Sequence, residues 1–130
     1  MNISINKSPY VNSSDIYNIN LDDVKNAIQK SYRRIKDFFK DELECVYLYG
    51  SFARGDYTTE SDIDLFILTT RSKADIMRDL SNIHRLCGDI DLEYNVLISV
   101  SAENIDYFNK YKSVRALYKN IIKDGIEIYE

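Results

Sequence analysis

From Leu21 onward, apolar residues recur at three- and four-residue spacing. Val24, Ala27, Ile28, Ile35, Phe38 and Phe39 fall on one side of a helical projection. Asn20 stands where an N-cap belongs, and Asp22 and Asp23 fall in the first turn, where the helix dipole favours negative charge. The period then changes to two. Across Glu44 to Tyr49, Val46 and Leu48 alternate with Cys45, Tyr47 and Tyr49, which predicts a strand. Gly50 and Ser51 break it, and a helical turn through Phe52 to Arg54 follows, stopped by Gly55. Asp62 to Thr69 reads as a second strand. Ser72 to Cys87 reads as a helix with Ile76, Leu80, Ile83 and Cys87 on one face, and Gly88 as its C-terminal cap. Ile90 to Val100 alternates along its length and is expected as a long third strand. Ser101 is expected to cap a short helix, Val114 to Lys123 to form another ended by Gly125, and Ile126 to Tyr129 to form a last short strand.

This order places strands and helices in one α/β (α+β) domain over residues 21–130, with a small mixed sheet and helices packed mainly on one face. Residues 1–20 are polar and rich in Ser and Asn; they read as a loosely held lead-in with one helical turn around Asp15 to Tyr17. The 130-residue length fits one core, and 45% hydrophobic with 29% charged residues excludes a collagenous or broadly disordered chain. The balance of 17 Lys and Arg against 21 Asp and Glu leaves a charge of −4, which argues against gripping long nucleic acid by charge alone. Two cysteines, Cys45 and Cys87, and the single His84 do not make a zinc site, and they suit a reducing cytoplasm. His84 and the two thiols are expected on the surface and in the core, respectively. No apolar run is long enough to span a bilayer, so no membrane partner is expected.

Chemistry concentrates in one stretch: Tyr49-Gly50-Ser51-Phe52-Ala53-Arg54-Gly55-Asp56, then Ser61-Asp62-Ile63-Asp64-Leu65. Gly50 lets the backbone approach a phosphate, the amides of the following turn favour that anion, and Ser51 and Arg54 add donors. Asp62 and Asp64, two apart on a strand, point to one face while Ile63 and Leu65 point into the core. Paired carboxylates beside a triphosphate-binding loop are hard oxygen ligands suited to Mg²⁺, and two such ions would serve an in-line displacement at phosphorus.

Gly50-Ser51, Ala53-Arg54-Gly55 and Ser61-Asp62-Ile63-Asp64 together resemble the signature of the DNA polymerase β-type nucleotidyltransferase superfamily. Within it, the chain is most similar to the minimal nucleotidyltransferases, which consist of little more than the catalytic core. The resemblance is tight over Val46 to Leu68 and looser to the C-terminus, through Leu92 to Ser99, Tyr118 to Ile121 and Gly125 to Tyr129. It implies a nucleotidyltransferase fold and Mg²⁺-dependent use of ATP. It further implies an antitoxin that silences a HEPN ribonuclease toxin by placing AMP on one of the toxin's tyrosines. A chain this small would hold the nucleotide and metals and borrow its acceptor from that partner.

The family also implies a third carboxylate on the third strand. Asp91, Glu93 and Asn95 alternate onto one face there. The subgroup's acid falls at Asn95, an amide that cannot act as base; Glu93 lies one strand step earlier, and Asp91 serves if the strand is used from its start. Two alternatives stand beside the enzymatic antitoxin. One is an antitoxin that neutralises by binding alone. The other is a transferase for a small molecule, such as an antibiotic hydroxyl, that needs a partner subunit. The basic residues of the first helix (Lys30, Arg33, Arg34, Lys36, Lys40) alternate with acids and read as a solvated mixed-charge face. Lys110, Lys112, Arg115, Lys119 and Lys123 receive the same reading.

Overall fold

The computed structural model describes Ile3, Ile5 and residues 20–130. The helical turn expected around Asp15 lies outside the described residues. Helix α1 (Leu21–Phe39) begins at Asn20, whose side chain accepts the Asp23 N–H at 3.1 Å, as the sequence pattern expects. Its buried face comprises Val24, Ala27, Ile28, Ser31, Ile35 and Phe39. A 3₁₀ turn (Lys40–Glu42) leads into β1 (Leu43–Tyr49), and the short helix α2 (Ser51–Arg54) follows. Strand β2 (Ile63–Thr69), helices α3 (Lys73–Arg78), α4 (Leu80–His84) and α5 (Gly88–Tyr94), and strand β3 (Ile98–Asn104) come next. Helices α6 (Ile105–Tyr111) and α7 (Ala116–Asp124) and strand β4 (Ile126–Ile128) complete the order.

Among the described residues the sheet has four strands, in the order β3-β2-β1-β4. β1 pairs antiparallel with β2 and with β4, whereas β2 and β3 run parallel, so the sheet is mixed. One face carries the main core: Val46 and Leu48 of β1, Ile63, Leu65 and Ile67 of β2, and Ile98 and Val100 of β3, packed under α1 and α3 to α5. Ile5 is buried in the same core. Each fully buried aliphatic side chain there contributes roughly 1.5–3 kcal/mol relative to exposure. The opposite face is covered over part of its length only, where Phe108 of α6 and Tyr118 and Ile121 of α7 pack on Phe66 and Leu68. The beginning of β2 on that face remains outside this second cluster. That gap holds the chemistry.

Three expectations are corrected. The helix over Ser72 to Cys87 is two short helices that turn at Asp79 (φ −97°, ψ 9°). The Asp79 carboxylate meets the Arg71 guanidinium at 3.4 Å, and the turn lets Ile76 and Ile83 both reach the core. Gly88 opens α5 rather than capping the preceding helix. Most consequential, Ile90 to Tyr94 is helical, and the third strand begins only at Ile98. Ile90 and Tyr94 lie four apart, so a strand and a helix both place them on one side. Leu92 separates the two conformations: a strand would bury it beside Ile90, yet it is 87% exposed. Arg34 fixes the helix to α1, reaching both Asp89 carboxylate oxygens (2.7 and 2.9 Å) and the Leu86 carbonyl (2.9 Å). With β3 shifted, Ser101 lies inside the strand and Asn104 caps α6, accepting the Asp106 and Tyr107 amides.

Candidate active site

The site forms where β1 ends against the start of β2. Gly50 adopts φ +77°, and a Cβ there would stand 2.3 Å from the Asp64 Oδ2. Only glycine satisfies both conditions, so the missing side chain is what lets a carboxylate lie against the strand-to-helix turn. The Gly50 carbonyl accepts the Ala53 and Arg54 amides at 3.1 and 3.0 Å, winding the chain tightly into α2. Gly55, left-handed at φ +88°, ends the turn with its N–H on the Ser51 carbonyl at 2.9 Å. First-turn amides of a helix have no partner within it, so those of Ser51 and Phe52 are the groups available to an anion.

Strand register sets the neighbours. Tyr49 lies opposite Asp64 across β1 and β2, and Ser99 lies opposite Asp64 across β2 and β3. Paired residues share a face, so Tyr49, Asp64 and Ser99 stand side by side. Asp62, two residues before Asp64, precedes the strand, and Ile63 and Leu65 are buried in the main core on the other side. Burial first, and then the charge of Asp62, push the Asp64 carboxyl above its ordinary range, while Arg54 pulls it down. Arg54 also reaches Asp56, Nε to Oδ2, at 3.3 Å. Gly50, Arg54, Asp62 and Asp64 thus come together, and Ser51 follows Gly50 as the first residue of α2.

The third-strand acids do not join them. On the helix α5, Glu93 turns away to pair with Lys30 at 2.6 Å. The expectation of Glu93 on a strand face beside Asp64 is therefore corrected: the residue sits on a helix and pairs with α1. Asp91 accepts the Ile98 N–H at 3.0 Å and lies within the field of Asp62. Asn95 caps α5 in a left-handed conformation (φ 52°, ψ 51°) and lines a cavity shared with Asp62. Among the described residues, no three His, Cys, Asp or Glu side chains converge as a metal site. The donor set is a pair of carboxylates, one of them raised by the other, and such a pair suits a divalent cation whose remaining positions go to phosphate and water.

Residues 33–130 match the family model described as polymerase beta, nucleotidyltransferase. The chain belongs to this nucleotidyltransferase family. A protein of Methanocaldococcus jannaschii, provisionally named protein adenylyltransferase MJ0604, is 33% identical over 103 residues, covering 79% of this chain and 95% of that one. A Sulfolobus solfataricus structure, provisionally named a nucleotidyltransferase, superposes with a TM-score of 0.56 at 17% identity, over 95% of this chain and 93% of that one. A toxin–antitoxin structure with AMP-PNP superposes with a TM-score of 0.48 at 17% identity, over 80% and 71% of the two chains. As a nucleotidyltransferase the chain is an enzyme, and the motif that carries its family signature is the motif that the fold gathers around Asp64. No described helix is long and apolar enough to cross a membrane.

Sequence reasoning missed two neighbours of the site. Ser99 falls inside the expected third strand, but its place opposite Asp64 is a matter of strand register, which the residue pattern does not fix. The cavity beside Asp62 was hidden because it joins Asn20 and Asp23, which read only as helix-start residues, to Thr58–Ser61 and Tyr94–Leu97.

Proposed function

We propose that this nucleotidyltransferase transfers AMP from ATP to a tyrosine hydroxyl of a partner protein, a HEPN-type toxin, and so acts as its antitoxin. The observation that carries this reading is the contact of Gly50 with the Asp64 carboxylate, with Asp62 and Arg54 beside it. It sets a carboxylate pair directly against a phosphate-binding turn. The similarity to a protein named as a protein adenylyltransferase supports a protein acceptor.

Asp62 and Asp64 are the residues that would hold Mg²⁺, which when bound would neutralise phosphate charge and lower the pKa of the attacking hydroxyl. The turn amides of Ser51 and Phe52, the Ser51 hydroxyl and the Arg54 guanidinium would hold the β- and γ-phosphates. The acceptor oxygen attacks the α-phosphorus, the bond from that phosphorus to the bridging oxygen breaks, and pyrophosphate leaves with the electron pair. The hydroxyl proton passes to solvent. With only two carboxylates converging among the described residues, one resident cation is the expected complement.

The same shortage of a third carboxylate favours a second reading, an antitoxin that protects by binding alone. The Asp62→Asn, Asp64→Asn double variant separates the two in cells that express the toxin. Loss of protection with the complex still formed supports transfer. Full protection by the double variant rejects it.

A further inference from the structure

The side chain of Tyr49 runs across the sheet. Tyr49 of β1 lies opposite Asp64 of β2, while Ser101 of β3 lies opposite Phe66, two residues further along β2. The Tyr49 hydroxyl is within reach of Ser101, whose own hydroxyl is buried, and stands in the field of Asp64. The Tyr49 ring meets the Phe66 ring edge-on at 6.2 Å. A side chain that reaches from β1 toward β3 must pass over β2, and the register puts that passage between Asp64 and Phe66. Half-buried there, Tyr49 packs against the second cluster, in which Phe66 also meets Phe108 and Tyr118.

Asp64 is thereby bounded in two directions. On the Gly50 side it has room only because that residue lacks a side chain: a Cβ there would stand 2.3 Å from Oδ2 and 3.3 Å from Cγ. On the Phe66 side the Tyr49 ring fills the sheet face. An unhindered aspartate distributes itself among three staggered χ1 wells. A carboxylate swung toward Phe66 would meet the ring, whereas the orientation over Gly50 keeps it near Asp62 and Arg54. We propose that Tyr49 is a positioning residue: its ring, by filling the face between Asp64 and Phe66, holds the Asp64 carboxylate over Gly50 for a divalent cation. The inference rests on the reading of Asp64 as a cation ligand and names the residue that orients it. The ring does this by its volume, and the hydroxyl is not required.

Calorimetric titration of the full chain with Mn²⁺ tests the proposal apart from catalysis. Where one of three χ1 wells is competent, apparent affinity falls about threefold, so Tyr49→Ala should bind Mn²⁺ at least about threefold more weakly than the natural protein. Tyr49→Phe, which keeps the ring, should stay within about twofold. Tyr47→Ala makes the same truncation two residues earlier on the same face, opposite Phe66 and against the same cluster, and should leave the affinity unchanged. Tyr49→Leu, which keeps an apolar group on Phe66 but is too short to cross β2, gives the same reading if Tyr49→Ala does not fold. Undiminished affinity in the folded Tyr49 variants overturns the proposal. So does a loss as large in Tyr49→Phe, which would assign the effect to the hydroxyl, or in Tyr47→Ala, which would assign it to general loosening of the second layer. Mn²⁺ binding by the natural protein that Asp64→Asn does not weaken would instead overturn the cation reading of Asp64 itself, and this inference with it.

Discussion

Gly50 and Asp64 occupy one space: the Cβ that any other residue would place at position 50 falls 2.3 Å from the Asp64 Oδ2. Gly50→Ala therefore meets two penalties, the φ of +77° and the carboxylate. The backbone conformation alone costs about 1–3 kcal/mol for a non-glycine residue. We expect Gly50→Ala to lower stability by at least about 1 kcal/mol and to abolish transfer. Asp64→Ala in the same chain should recover part of the stability and none of the activity. Urea titrations of the two single variants and the double variant measure that coupling.

Asp64 is held at a cost. Its carboxyl is raised by burial and by Asp62, so the folded state binds its proton more tightly than the unfolded state does. Stability from this group is then lost as pH rises from the ordinary carboxyl range through the raised value, and the cost persists above it. Asp64→Asn should therefore melt about 1–4 °C higher than the natural protein at pH 7 in the absence of metal, and this gain should vanish near pH 3. Added Mg²⁺ should raise the melting temperature of the natural protein and leave the variant unmoved, as follows from binding to the folded state alone.

Ser99 stands opposite Asp64 on β3 and is exposed. Ser99→Asp would bring a third carboxylate to the pair's face. We expect divalent-cation affinity to rise by about tenfold or more, measured by calorimetry with Mn²⁺, and metal-free stability to fall as three like charges crowd together. An unchanged affinity would mean that the cation does not lie between β2 and β3.

Away from the site, Arg71 ties several elements together. Its guanidinium reaches Glu42, Asp79 and the Phe38 carbonyl at 3.1–3.4 Å and lies over the Phe38 and Phe39 rings. With its side chain only 15% exposed, Arg71→Ala should cost about 2–3 kcal/mol by chemical denaturation. Transfer activity below the melting point should be retained.

The helix α1, strands β1 and β2 and the turn between them were legible because each has one period and clear punctuation. Asn20 caps, Gly50 breaks, and Gly55 stops. The grouping of Gly50, Arg54, Asp62 and Asp64 follows from those same residues. The segment between Ser72 and Ser101 was not legible, since Ile90 and Tyr94 satisfy two periods at once and the exposure of Leu92 is a tertiary outcome, whereas the last helix, its end at Gly125 and the last strand were. What holds α5 as a helix includes Arg34, more than fifty residues earlier in the chain, bonded to Asp89 and the Leu86 carbonyl. That misplacement put Glu93 on a strand face, whereas the fold carries it on a helix.

The proposed reaction is transfer of AMP to a protein tyrosine. It is measured by incubating the chain and the proposed HEPN-type toxin partner with Mg²⁺ and ATP labelled at either the α- or the γ-phosphate. We expect α-label, and not γ-label, to become attached to a tyrosine of the toxin, and Asp64→Asn to leave the toxin unlabelled. An intact complex that carries no α-label, or one labelled equally well by the Asp64→Asn variant, would contradict it.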